Sequence, residues 1–236
     1  TYGDTWLFDV AKENWRRVEV DAGPSARAGS VAVFDGSADR FVMFAGAEEP
    51  PAAELPLAET WMFDPTTELW TQQFTNQAPS LVSEGNPTLF ELAMVYDSES
   101  RRSVLLVAGE ATWVYDATAV VWAKVDADES QGLGADYMTA AAYDSSVGRT
   151  IAYGGAPTGR TSATWAYNSA ADTWGTVGKA SAVPGPIANH AMAYDSTTNR
   201  VFLFGGAASV LGLEAPNPIT NALWAFDGGG WSLAGS

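Results

Sequence analysis

The chain has 236 residues, of which 47% are hydrophobic and 17% charged, so a sizeable folded core is available. Twelve basic residues stand against 28 acidic ones, which gives a formal net charge of −16. Because phosphate contacts need clustered lysine and arginine, this balance opposes binding to nucleic acid and to anionic membranes. No apolar run approaches the ~18 residues of a membrane-spanning helix. The absence of cysteine excludes disulfides, cysteine zinc sites and thiol chemistry.

The tryptophans mark an internal repeat. All ten fall into five pairs: Trp6/Trp15, Trp61/Trp70, Trp113/Trp122, Trp165/Trp174 and Trp224/Trp231. The first four pairs are spaced by nine residues and the last by seven, and successive pairs begin 55, 52, 52 and 59 residues apart. An aromatic motif that recurs about every 50 residues is typical of β-propellers. We therefore predict one all-β domain over residues 1–236, with a partial repeat at 1–23 and full repeats at about 24–80, 81–130, 131–183 and 184–236.

Each full repeat carries the same landmarks in the same order. An aromatic–Asp pair is followed five residues later by an arginine, then by two small residues, and then by the first tryptophan, usually within Thr-Trp-x-aromatic-Asp/Asn. These landmarks predict four antiparallel strands, named a to d, with one tryptophan on strand c and one on strand d. The a–b turns are rich in residues that favour turns. The fifth repeat departs from the motif because Leu223 replaces the threonine before Trp224.

Taken together, the two small residues after strand b, the Thr-Trp-x-aromatic-Asp motif and the strand d tryptophan resemble the kelch-repeat family, in its microbial form, over about residues 5–235. The resemblance implies a kelch-type β-propeller of about five blades, each with four antiparallel strands. The first tryptophan pair is not preceded by strands a and b, so the first blade is incomplete in this sequence. We expect the natural protein to continue upstream of Thr1, or this blade to assemble with another chain through its uncovered strand edge.

The resemblance also implies that partners bind where the b–c and d–a loops open. Two b–c loops, 47–59 and 207–221, are long, and so is the d–a loop 75–91. The residues predicted to line this loop face are Arg27, Glu91, Glu110, Asp136, Arg160, Asn189 and His190. For His190, the only histidine, a structural role is favoured over catalysis. No metal or cofactor is predicted, because the acidic stretch 126–129 lacks the spacing of a calcium loop and no second imidazole exists.

We expect a non-enzymatic interaction module that recognises a protein or glycan partner through the loop face, because no nucleophile–base pair is visible. Two alternatives stay open. One is a sugar-active kelch enzyme, such as a protein similar to sialic acid mutarotases, with Arg27, Glu91, Asp136, Asn189 and His190 in the central funnel. The other is a structural assembly module of a larger protein. The microbial type of repeat and the acidic, cysteine-free composition favour a secreted or cell-surface location over a cytoplasmic one.

Overall fold

A computed structural model describes residues 2–48, 56–83, 86–87, 92–107, 111–125, 139–154, 163–178, 183–208 and 219–235. Within these ranges the chain is all-β and contains no helix. Accordingly, the described part of the chain has no helix that is long and apolar enough to cross a membrane.

Most strands belong to four antiparallel sheets of four strands each, B to E, and one pair of strands forms sheet A. Sheet A contains β1 (Thr5–Asp9) and β2 (Asn14–Val18). The four larger sheets confirm the predicted order a-b-c-d, since each strand pairs with the next of its repeat. Sheet B contains β3 (Val31–Asp35), β4 (Arg40–Phe44), β5 (Thr60–Asp64) and β6 (Leu69–Gln73), and sheet C contains β9 (Leu92–Asp97), β10 (Arg102–Val107), β11 (Ala111–Asp116) and β12 (Val121–Lys124). Sheet D contains β13 (Ala140–Asp144), β14 (Arg149–Tyr153), β15 (Thr164–Asn168) and β16 (Thr173–Val177). Sheet E contains β18 (Ala191–Asp195), β19 (Arg200–Phe204), β21 (Leu223–Phe226) and β22 (Trp231–Gly235).

Two short strand pairs lie outside these sheets. Strand β7 (Val82–Ser83) pairs with β8 (Asn86–Pro87), and β17 (Ile187–Ala188) pairs with β20 (Ala207–Ala208). The second pair joins the loop before strand a of sheet E to the loop after its strand b.

Side-chain caps close the a–b and c–d turns at one end of the sheets, which we call the turn end. In sheet B, Asp35 Oδ1 accepts hydrogen bonds from the backbone N–H groups of Ser37 and Ala38, at 2.9 and 3.1 Å. Such caps satisfy turn backbone that the sheet ladder leaves unpaired. The same two bonds recur at Asp9, Asp64, Asp97, Asp116 and Asp227, and the bond from the residue two positions ahead recurs at Asp144, Asn168 and Asp195.

Neighbouring sheets pack face to face through consecutive apolar positions of strand b. On β10, Leu105 and Val107 join a core cluster with sheet B, while Val104 and Leu106 join one with sheet D. A third cluster joins sheets D and E. The strands a of successive sheets also lie against one another, from β3 to β9, β13 and β18. This repeated stacking of four-stranded sheets is consistent with a β-propeller-like arrangement.

One hydrogen bond repeats at every junction between sheets. The indole Nε1 of a strand d tryptophan donates to the hydroxyl of the threonine that directly precedes the first tryptophan, on strand c of the preceding sheet, over 2.7–2.9 Å. Buried indole N–H groups need such a partner, so the bond accounts for both the threonine and the second tryptophan of the motif. The four bonds are Trp70–Thr5, Trp122–Thr60, Trp174–Thr112 and Trp231–Thr164.

Candidate functional site

The loops after strand b and before strand a meet at the end of the sheets opposite the turn end. In sheet B, Ala28 and Ala47 form an antiparallel bridge in which each N–H donates to the other residue's carbonyl at 2.9 Å. In sheet E the equivalent pairing is that of Ala188 with Ala207, in β17 and β20. We call this end the loop end. It corresponds to the face on which the sequence predicts binding.

Arg27 ties these loops together in sheet B. Its side chain is only 4% exposed, and its Nη2 lies 2.7 Å from Glu59 Oε2. The guanidinium also donates to Ser25 Oγ at 2.8 Å and to the carbonyls of Ser25 and Ala45 at 3.0 and 3.3 Å. Its stem covers Gly46, where an added Cβ would lie 2.9 Å from Arg27 Cδ. The arginine therefore acts as a clamp between the two loops, with its donors engaged by the protein itself.

Glu59 is the more accessible member of this pair, with 31% of its side chain exposed. Its Oε2 also accepts a hydrogen bond from Trp61 Nε1 at 3.0 Å. Burial alone raises the pKa of Glu59, but the hydrogen bonds from Trp61 and Arg27 outweigh burial and hold the pKa below its usual value. The carboxylate is thus charged at neutral pH and remains open to a ligand from one side.

Replacing Arg27 with methionine is expected to lower the free energy of unfolding by about 1–2 kcal/mol, because it leaves the partly buried Glu59 without its cation. The double variant Arg27→Met, Glu59→Gln removes both charges and is expected to recover most of that loss. Urea unfolding of the two single variants and the double variant measures the coupling. Strictly additive losses would contradict the assigned clamp.

At the loop end of sheet E, the position equivalent to Arg27 holds a different type of side chain. Ile187 occupies the position of Arg27, and its Cγ1 would lie 2.9 Å from a Cβ added at Gly206, just as Arg27 covers Gly46. Ile187 is buried. The matching strand pairings of Ala28 with Ala47 and of Ala188 with Ala207 make the two positions equivalent. An aliphatic side chain therefore stands in sheet E where sheet B has an ion-paired guanidinium.

His190 is buried beside this pair, with 8% of its surface exposed. Its ring meets Tyr153 edge-on, with 6.2 Å between ring centroids, and a Cβ at Gly154 would come within 2.5 Å of its Cε1. Neither ring nitrogen hydrogen-bonds within the described ranges. Burial lowers the pKa of His190 to about 4, and the nearby backbone of Tyr153 offsets only part of that shift. The imidazole is therefore neutral at physiological pH.

Two exposed residues complete the loop end of sheet E. Asn189 is exposed with a φ of 56°, a left-handed conformation that asparagine adopts more readily than most residues. Ile219 is 86% exposed and bridges to Ala207. Sequence reasoning placed Ile219 inside the long loop 207–221 without singling it out. The available signal was an aliphatic residue between Pro218 and Thr220, in one of the two long b–c loops.

The predicted site residues are only partly brought together. Arg27 lies at the loop end of sheet B, whereas Asn189 and His190 lie at that of sheet E. The other predicted residues fall outside the described ranges: Glu91, Glu110, Asp136, Arg160 and the acidic stretch 126–129. Across the parts of the chain that the structure does describe, no group of three or more histidine, aspartate or glutamate side chains is placed to hold a metal ion.

Similarity to known proteins adds no assignment for this site. The chain matches no protein-family model, and no curated protein matches it. The kelch resemblance therefore rests on the repeated landmarks themselves, whose strands, turn caps and threonine–tryptophan bonds are described above.

Proposed function

We propose that the chain is a kelch-type β-propeller of about five blades, with sheet A as an incomplete blade, and that it is a non-enzymatic module binding a protein or glycan partner at the loop end. Stacked four-stranded sheets with a recurring tryptophan motif support the architecture. The binding role is supported by one contrast, between the two ends of the sheets.

At the turn end the chemistry is uniform, since the same Asp or Asn cap recurs in sheet after sheet. At the loop end, equivalent positions differ from sheet to sheet. The position of Arg27 holds Ile187 in sheet E, and that of His190 holds Ser30 in sheet B and Thr139 in sheet D. Turn closure imposes the same cap in every repeat, whereas no such constraint acts on the loop end, so its varied side chains favour this end as the surface that serves recognition.

The accessible groups at this end suit an uncharged or basic ligand. Ile219 offers an exposed aliphatic surface, Asn189 an amide, and Glu59 a charged carboxylate beside Trp61. Amide and carboxylate groups hydrogen-bond readily to sugar hydroxyls and to peptide N–H groups. The net charge of −16 repels anions at long range. We therefore favour a neutral or basic protein surface, or an uncharged glycan.

The sugar-active enzyme is a weaker alternative. It needs convergent polar groups that are free to act on substrate, yet the donors of Arg27 are engaged by Glu59, Ser25 and Ala45. His190 is buried rather than open to a ligand. Asn189 is the one exposed member among the three candidates that the structure describes.

The proposal is tested with a glycan array and an immobilised peptide array, followed by calorimetry on the best ligand. Ile219→Ser is expected to weaken binding about tenfold, the loss for one buried aliphatic side chain. Val147→Ser is the matched control, because Val147 is 53% exposed in the a–b turn of sheet D, at the turn end. Failure to bind on both arrays, or equal sensitivity to Val147→Ser, would overturn the proposal. Turnover of a sugar would favour the enzyme instead.

A further inference from the structure

A pocket of about 340 Å³ opens between sheets B and C, on the outer side of these sheets. Strands β5 and β6 form most of its wall, and Ala117 lines it from the c–d turn of sheet C. Its volume lies at the lower end of the range of small-molecule sites. We call it the outer pocket. None of its lining residues belongs to the predicted loop face.

Three polar side chains of the outer pocket depart from the repeat. They are Thr67, Thr71 and Gln73, of which the last two lie on β6. The residues at the equivalent positions of sheets C and D are apolar or glycine: Ala119, Ala123 and Val125 in sheet C, and Ala171, Gly175 and Val177 in sheet D. The packing of the repeat therefore does not require polar groups at these positions, and a local role accounts for them better.

Arg40 borders the outer pocket and turns back to its own sheet, where its Nη2 lies 3.0 Å from Asp64 Oδ2. The equivalent arginine of sheet C, Arg102, crosses to the next sheet instead. Its Nη2 donates to the carbonyl of Ser169 at 2.9 Å and lies 3.6 Å from Asp172 Oδ1. An arginine thus bridges the space between sheets C and D, whereas the corresponding space between sheets B and C stays open.

The interior of the junction between sheets B and C also has fewer polar contacts. Asp35 Oδ2 and Tyr115 Oη are buried, and no group in the described ranges hydrogen-bonds to either atom. In the junction of sheets C and D, the equivalent groups bond to Asp172 at 2.7 Å, to Ser100 at 2.8 Å and to Ser169. Apolar residues replace these three partners in the junction of sheets B and C: Val120, Ala38 and Ala117. This junction therefore lacks internal polar contacts but presents polar side chains in its open pocket.

The wall of the outer pocket combines donors, acceptors and an aliphatic surface without a net charge. Arg40 and Asp64 neutralise each other. Gln73 Nε2 donates to the carbonyl of Thr71 at 3.1 Å, while the amide oxygen of Gln73 is an acceptor and the Thr71 hydroxyl can both donate and accept. Leu69 is 57% exposed. The net charge of −16 repels an anion, and a cation meets the guanidinium of Arg40, so the wall suits a neutral ligand.

We propose that the outer pocket is a binding site for an uncharged sugar of one or two rings. Sugar hydroxyls both donate and accept, which matches the mixed wall of Thr71, Gln73 and the Arg40–Asp64 pair. The C–H face of one ring lies against Leu69. This site lies apart from the loop end and does not depend on the function proposed there.

The test is a series of ¹H–¹⁵N correlation spectra of the 1–236 protein, titrated with cellobiose, lactose and N,N′-diacetylchitobiose. We expect at least one disaccharide, added up to about 50 mM, to shift the amide signals of residues 62–73 and 117–120 saturably. Gln73→Val, which installs the residue of sheets C and D, is expected to weaken this binding about fivefold, the loss for one hydrogen bond. Thr176→Ala, at an exposed position of strand d in sheet D, is the matched control and is expected to leave the affinity unchanged.

Two further variants keep the test decisive. Leu69→Thr installs the residue of sheet D at an exposed position and is expected to weaken binding even if Gln73→Val perturbs the fold, which the dispersion of the same spectra reports. Ile219→Ser is expected to have no effect. No saturable shift with any disaccharide, or unchanged affinity in both Gln73→Val and Leu69→Thr, would overturn the proposal. Loss of binding in Ile219→Ser would also overturn it, because the sugar would then bind at the loop end.

Discussion

Replacing Trp122 with alanine is expected to lower the free energy of unfolding by about 3–5 kcal/mol. Trp122 is fully buried between sheets B and C, with its ring centroid 4.9 Å from that of Phe44 and 4.8 Å from that of Tyr115. Its Nε1 donates to Thr60 at 2.9 Å. The substitution removes the aromatic contacts, opens a cavity and leaves the buried hydroxyl of Thr60 without its donor. Guanidinium unfolding measures the loss.

The matched control is Trp15→Ala, at the same position of the first repeat. Trp15 is 64% exposed, and within the described ranges its indole makes none of the threonine bonds seen for the other strand d tryptophans, so we expect a change within about 1 kcal/mol. The two variants differ only in the burial of one repeated position. Equal losses would contradict the exposed position of Trp15 on the outer strand of sheet A.

The strands were predictable because each landmark has a local physical cause. Asp35 and its equivalents close turns through bonds to residues two and three positions ahead, so their effect is visible in a short window of sequence. The period of the tryptophans was equally informative. The bond from Trp122 to Thr60 spans 62 residues, and the bond from Trp174 to Thr112 spans the same number. This constant span follows from the repeat, because the two bonded pairs lie 52 residues apart in the sequence.

The loop end was less predictable because its contacts have no period. The pairing of Arg27 with Glu59 spans 32 residues and occurs across two loops of different length. The repeat landmarks marked Arg27 as a residue of the loop face but carried no signal that a carboxylate would engage it. Likewise, the 37% exposure of Phe41 depends on which strands cover the face of sheet B and not on its own strand. Its strand pattern resembles that of strands buried on both faces.

Because of His190, the free energy of unfolding is expected to fall on acidification already at pH values above those at which most carboxylates titrate. Its pKa is about 4 in the folded chain against 6.5 for the ordinary group, so between these values the unfolded chain binds more protons than the folded one. Stability is therefore complete above about pH 6.5 and falls as the pH drops towards 4, by about 3 kcal/mol in all. Asp97 and Glu59, whose pKa values are lowered from 3.8 and 4.5, begin to lose their stabilising contribution only as the pH falls through those ordinary values.

Because the chain has one histidine, proton NMR of its ring hydrogens follows this group alone. We expect the folded protein to show a midpoint near pH 4, and urea unfolding to show stability rising with pH between 4.5 and 6.5. In the variant His190→Thr, which places the residue of sheet D at this position, that rise is expected to disappear whatever the absolute stability. A ring midpoint of 6 or above would show that water or a ligand reaches the imidazole, and His190 would then belong with Asn189 and Ile219 on the binding surface.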